Sequence, residues 1–183
     1  MFTVPPRGVE VALLALLVGA AIYDVRYRRI PNWLTVTGVL VGMLINFLIG
    51  PPEGGLIFAL KGLAAGFFVY IVFYAIRAMG AGDVKLMAAV GALAGAERWF
   101  GIFFATALVG GAMAVTAILA RRRTKKTLWN VAFILSELGQ GRPAYAGNEE
   151  LDVRSPRSFG LPHGAVIAIS TVFYLAFSLH LSK

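Results

Sequence analysis

The sequence predicts an all-α protein, a polytopic membrane helix bundle of about six transmembrane helices with both termini outside. Three observations predict it. Hydrophobic residues make up 58% of the 183 positions and charged residues only 14%, with mean hydropathy +0.77, whereas a soluble domain has about a quarter of its residues charged. The apolar residues gather into long runs divided by short polar or Pro/Gly-rich stretches, as bilayer spans require. Most of the 17 basic residues sit in alternate connections: Arg26, Arg28 and Arg29, then Arg77 and Lys85, then the 121–126 cluster with Arg142, Arg154 and Arg157. That asymmetry marks the inner side of a membrane protein.

The same placement accounts for the formal charge of +8 without nucleic acid, because short clusters between apolar runs do not track a phosphate backbone. Cysteine is absent, so the sequence offers no disulfide, no thiolate zinc site and no cysteine nucleophile. His163 and His180 are too far apart for a histidine metal site, and no metal or cofactor is expected. Residues 1–183 read as a single membrane-embedded domain.

The elements follow in order. The apolar run from Val11 to Tyr23 comes after Arg7 and Glu10, whose charges nearly cancel, and before Arg26, Arg28 and Arg29. A signal peptide carries its positive charge ahead of its core, so this pattern predicts an uncleaved first span that starts outside. Pro31 and Asn32 favour a turn before the next helix, and Trp33 stands where an interfacial aromatic belongs. The second span covers about 34–49, and Pro51-Pro52-Glu53-Gly54-Gly55 makes a tight outside turn. The third covers about 56–78, with Lys61 near enough to its outer end to snorkel to water and Arg77 at its inner end.

The next apolar run, Leu86 to Ala96, rises only about 17 Å against a hydrocarbon core of about 30 Å. The fourth helix must therefore begin at or inside the boundary, which puts Asp83 in its first turn. Glu97 and Arg98 are expected to form the following outside turn, and the fifth span runs over about 100–120. Residues 121–161 form a long cytoplasmic loop. Within it Leu128, Val131, Leu135 and Leu138 recur at helical spacing and predict a short interfacial helix; residues 139–158 read as a loop. The last span covers about 162–181. Three Gly-x-x-x-Gly pairs, Gly38/Gly42, Gly62/Gly66 and Gly91/Gly95, predict close approach of helix backbones in lipid.

Asp24 ends the first span and Asp83 begins the fourth, so both lie at the inner boundary at similar depth. Ionisable residues at the edge of a span are functional candidates, because burying their charge is costly. If the two helices are neighbours, the carboxylates share a proton. The ionised one takes a proton from water while the protonated one hydrogen-bonds a scissile carbonyl, a division of labour that needs no metal, cysteine or serine. The plain alternative is that Asp83 caps a helix and that Asp24 pairs with a nearby arginine.

Gly80-Ala81-Gly82-Asp83-Val84-Lys85-Leu86 resembles the Gly-x-Gly-Asp motif of the prepilin (type 4 leader) peptidases, which commonly continues Asp-x-Lys-Leu. Asp24 with Arg29-Ile30-Pro31-Asn32 and Leu34 is similar to that family's first-aspartate motif, and Leu161-Pro162-His163-Gly164 resembles the Pro-x-Gly opening of its last span. The resemblance covers nearly the whole chain. It implies an integral-membrane aspartic endopeptidase that removes the short basic leader of prepilin or pseudopilin precursors at the cytoplasmic face of the bacterial inner membrane, with Asp24 and Asp83 as the catalytic pair. Larger members carry an N-terminal region with paired cysteines and also methylate the new N-terminus. Without cysteine the chain looks like the compact Tad/Flp-pilus branch, and methyltransferase activity is not expected. His163 stands where that branch more often has tyrosine.

Supporting roles follow from the chemistry of cleavage. A protease needs an extended substrate, and Gly80 and Gly82 offer backbone that can pair with one. Lys85 either favours the charged form of Asp83 or is an inside anchor, and Pro31 and Asn32 fix the turn beyond Asp24. The arginines at 26, 28 and 29 suit membrane lipid phosphates. The rival function is a small proton- or cation-coupled transporter, or a non-catalytic scaffold of a pilus or secretion machine. A transporter is expected to hold its acids near mid-membrane.

Overall fold

The structure is a computed structural model that describes residues 7–51, 54–122, 124–140 and 162–181. Among the described residues every regular element is helical: α1 (Arg7–Tyr27), α2 (Asn32–Ile49), α3 (Gly55–Ala75), α4 (Ala81–Ala120), α5 (Thr124–Gly139) and α6 (His163–Leu181). All but α5 are long and apolar enough to cross a membrane. Large side chains such as Leu44, Phe47, Phe68 and Phe104 point outward, which suits a bundle solvated by lipid tails.

α4 is the centre of the bundle and packs on α1, α2, α3 and α6. A straight helix of its 40 residues would be about 60 Å long, twice the hydrocarbon core. It is broken at Gly95, which has φ 77° and ψ 165°, a combination essentially reserved for glycine. Beyond the break the chain turns back on itself: the Trp99 indole N–H donates to the carbonyl of Met87, 3.1 Å away and 12 residues earlier. A continuous helix would hold those residues about 18 Å apart along its axis. The turn expected at Glu97 and Arg98 thus falls at Gly95, and both charged residues belong to the helix that follows. Gly95 is the position with no Cβ to oppose the required backbone angles.

The first arm of α4 is enclosed: Val84 and every residue from Leu86 to Gly95 are buried. The Gly-x-x-x-Gly pairs explain how. A Cβ on Gly62 would strike the Gly91 carbonyl, one on Gly91 would strike the Gly62 carbonyl, and one on Gly66 would strike the Met87 carbonyl. A Cβ on Gly42 would lie 2.9 Å from the Ala92–Leu93 backbone, and one on Gly38 would crowd Leu16 and Ala89. α2 and α3 therefore lie against this arm backbone to backbone, the contact that small residues permit in lipid. Asn46 adds a polar clasp, its Nδ2 donating to the carbonyls of Gly42 (2.9 Å), Ala92 (2.9 Å) and Leu93 (3.2 Å).

Three of the arginines between spans also finish helices. Arg28, Arg77 and Arg122 take positive φ of 53°, 57° and 52° just past the ends of α1, α3 and α4. After α3 the Arg77 N–H donates to Tyr74 O and the Ala78 N–H to Phe73 O, the Schellman arrangement that satisfies terminal carbonyls. α3 therefore stops at Ala75, short of the Ala78 expected from hydropathy. After α1 the Arg28 N–H donates to Asp24 O at 3.0 Å, the simpler left-handed cap. A cation at a helix C-terminus is also favoured by the helix dipole.

α5 forms where the spacing predicts, and Leu128, Trp129 and Val131 are exposed on it, as an interfacial helix requires. The side chains of Leu135 and Leu138 lie outside the described residues. So do residues 141–161, and with them most of the 139–158 loop and Arg142, Arg154 and Arg157.

Candidate active site

Asp24 lies three residues before the end of α1, Asp83 in the first turn of α4, and His163 and Gly164 open α6. The fold brings these ends together. Asp24 is buried (8% exposed), and its Oδ2 accepts the Gly164 N–H at 2.7 Å. Asp83 Oδ2 accepts the Gly80 N–H at 3.1 Å. Each carboxylate is thus anchored through one oxygen to a backbone amide at a helix start, where amides lack intrahelical partners. The two carboxylates are close enough for their charges to interact. The capping alternative for Asp83 is present in the geometry and coexists with this pairing.

The connection after α1 braces the site. Ile30 lies between the first turns of α4 and α6: a Cβ on Gly82 would meet Ile30 Cβ at 3.2 Å, and one on Gly164 would meet Ile30 Cδ1 at 3.1 Å. Pro31 is extended at φ −69°, ψ 141° and caps α2, its carbonyl accepting the amides of Leu34 and Thr35. Asn32 Oδ1 accepts Lys85 Nζ at 2.8 Å, which ties the start of α2 to the first turn of α4. Pro31 and Asn32 thus join the end of the α1–α2 connection to α2 and α4.

Gly80, Gly82 and Lys85 all find partners within the chain. Neither Gly80 nor Gly82 uses positive φ. The Gly80 N–H is committed to Asp83, and Gly82 is helical and faces Ile30; its lack of a side chain admits this chain's own loop. Lys85, two residues beyond Asp83 on a helix, does not share its face and bonds Asn32 instead.

Two further residues adjoin the pair. Tyr70, near the end of α3, is buried (1% exposed), and its hydroxyl lies within electrostatic range of Asp83. Its ring meets Trp99, Phe103 and His163 at centroid distances of 6.3, 6.1 and 6.2 Å. His163, at the start of α6, interacts electrostatically with Asp24. A tyrosine in an apolar span carries a polar tip that must find a partner when buried, which is the signal that could have singled it out.

Fold and site together define a multi-pass membrane protein with a pair of aspartates from two helices meeting at one end of the bundle. The comparison with known families is more specific. The type IV leader peptidase family matches residues 11–115, over half of the chain and both aspartates, and the chain belongs to that family. It is 31% identical over 118 residues to the prepilin leader peptidase/N-methyltransferase of Bacillus subtilis (strain 168), a match covering 63% of this chain and 47% of the relative. The chain spans about half the length of that curated relative. No solved structure is significantly similar to it.

Proposed function

We propose that the protein is an aspartic endopeptidase of the bacterial inner membrane that removes the short basic leader of prepilin-like precursors at the cytoplasmic face, with Asp24 and Asp83 as its catalytic pair. The observation that carries this reading is the meeting of the two carboxylates, each anchored through Oδ2 to a helix-start amide, inside the stretch that matches the family. Counting the two arms of α4 separately gives six crossings, with both termini outside and both aspartates at the inner boundary. The proposal covers leader cleavage alone; the cleaved chain is a prepilin or pseudopilin of the Tad/Flp type.

Chemically, one carboxylate takes a proton from water as the water oxygen attacks the scissile carbonyl. The protonated partner hydrogen-bonds that carbonyl oxygen, and collapse of the tetrahedral intermediate delivers a proton to the leaving amine. The pair titrates as a unit, so acid and base are not assigned to individual residues.

The test is cleavage of a co-expressed Flp-type prepilin by wild type, Asp24→Asn and Asp83→Asn, read by gel shift. Asparagine preserves size and can still accept the Gly164 or Gly80 amide, but it cannot shuttle a proton. Both variants should insert normally and lose at least about a hundredfold in rate, the scale of general acid–base catalysis. Near wild-type cleavage by either variant refutes the pair and favours a capping role for that aspartate.

A further inference from the structure

Among the described residues two buried side-chain atoms have no hydrogen-bond partner, Glu10 Oε1 and His163 Nε2. Glu10 belongs to the first turn of α1, at the far end of that helix from Asp24, where the Arg98 charge acts on it. His163 stands at the site itself. The next residue, Gly164, donates its N–H to Asp24 Oδ2 at 2.7 Å. The imidazole lies against the ring of Tyr70 at 6.2 Å, and Tyr70 neighbours Asp83. A buried nitrogen left unpaired is destabilising and native structures seldom keep one without cause.

An extended peptide brings what this atom lacks. Helical segments have already paired their amides and carbonyls, whereas an extended segment presents both. The imidazole nitrogen can serve as donor or acceptor according to tautomer. We infer that His163 Nε2 is a substrate-binding atom, one that hydrogen-bonds the backbone of the extended leader beside the scissile peptide and sets its register against Asp24 and Asp83. The inference rests on the peptidase reading above. It gives His163 no share in proton transfer.

The experiment compares His163→Phe and His163→Gln with wild type in membranes, measuring kcat and KM for prepilin cleavage together with the thermal unfolding midpoint; Asp24→Asn and Asp83→Asn run alongside. Phenylalanine keeps a ring against Tyr70 and removes both nitrogens. It should lower kcat/KM about tenfold, the scale of one lost hydrogen bond, while the midpoint stays level or rises because the orphaned nitrogen is gone. Glutamine, which keeps a donor and an acceptor, should retain more activity than phenylalanine. A purely structural histidine behaves oppositely, so a lower midpoint or failed insertion of His163→Phe overturns the inference. Wild-type kcat/KM in that variant overturns it too. If the asparagine variants are inert while His163→Phe is fully active, the histidine inference alone fails; if an asparagine variant cleaves normally, the peptidase reading fails first.

Discussion

The 2.7 Å bond between the Gly164 amide and Asp24 can be stretched by a single methyl group. In Gly164→Ala the new Cβ would lie 3.1 Å from Asp24 Cβ, Asp24 Oδ2 and Ile30 Cδ1, whereas comfortable carbon contacts begin at about 3.5 Å. Relief therefore requires the start of α6 and the Asp24 side chain to part by about 0.4 Å, which carries the bond toward the long end of the N–H···O range of about 2.7–3.2 Å. A misplacement of about 1 Å costs on the order of a hundredfold in rate, so half that displacement corresponds to about tenfold. Stability changes less: overpacking costs about 1–3 kcal/mol, offset by up to about 1 kcal/mol from replacing glycine in a helix. Initial rates of prepilin cleavage, measured beside thermal unfolding of the same preparation, should show a tenfold slower enzyme that is still folded. A variant that cleaves at the wild-type rate, or one whose loss merely tracks loss of folded protein, refutes the claim that this amide positions Asp24.

Two further predictions concern the arm that carries Asp83. Gly91→Ala drives a methyl into the Gly62 carbonyl and forces α3 off α4; it should destabilise by about 3 kcal/mol, the upper range for overpacking, and unchanged unfolding would show that the two backbones do not touch. Asn46→Leu removes the donations to Gly42, Ala92 and Leu93; at about 0.6 kcal/mol per side-chain bond in a membrane interior, it should cost about 1–2 kcal/mol in denaturant unfolding. A neutral result would show that the clasp adds nothing to stability.

The helical class was readable because hydropathy and the placement of arginine depend only on the chain's own order. The first turn of α4 was readable as well, since an 11-residue apolar run is too short to span without starting early. What the sequence hid was tertiary. Asp24 and Asp83 are each visible as an acid beside a span, yet their meeting depends on how α1, α4 and α6 pack. Tyr70 looks like any aromatic in an apolar run until its neighbours are known. The Gly80 amide looks available in the sequence, where nothing shows that it bonds Asp83. Hydropathy falls at the polar pair Glu97–Arg98 and points to a turn there, but backbone geometry rather than polarity decides where a helix can reverse. Gly91 and Gly95 both pack against Gly62, and Gly95 breaks the helix as well.

The break at Gly95 also relates the chemistry to the lipid around it. From Ala81 to that glycine the arm rises only about 21 Å, against a hydrocarbon core of about 30 Å. The arm is sheathed by α1, α2, α3 and α6, so it cannot tilt independently to match the membrane. Because lipid contacts the outer helices rather than this arm, the difference leaves the aspartate end recessed below the headgroups inside the bundle. On the peptidase reading, the depth at which Asp83 meets water is set by acyl-chain length as well as by the protein, and the surrounding membrane acts as a spacer for the catalytic pair.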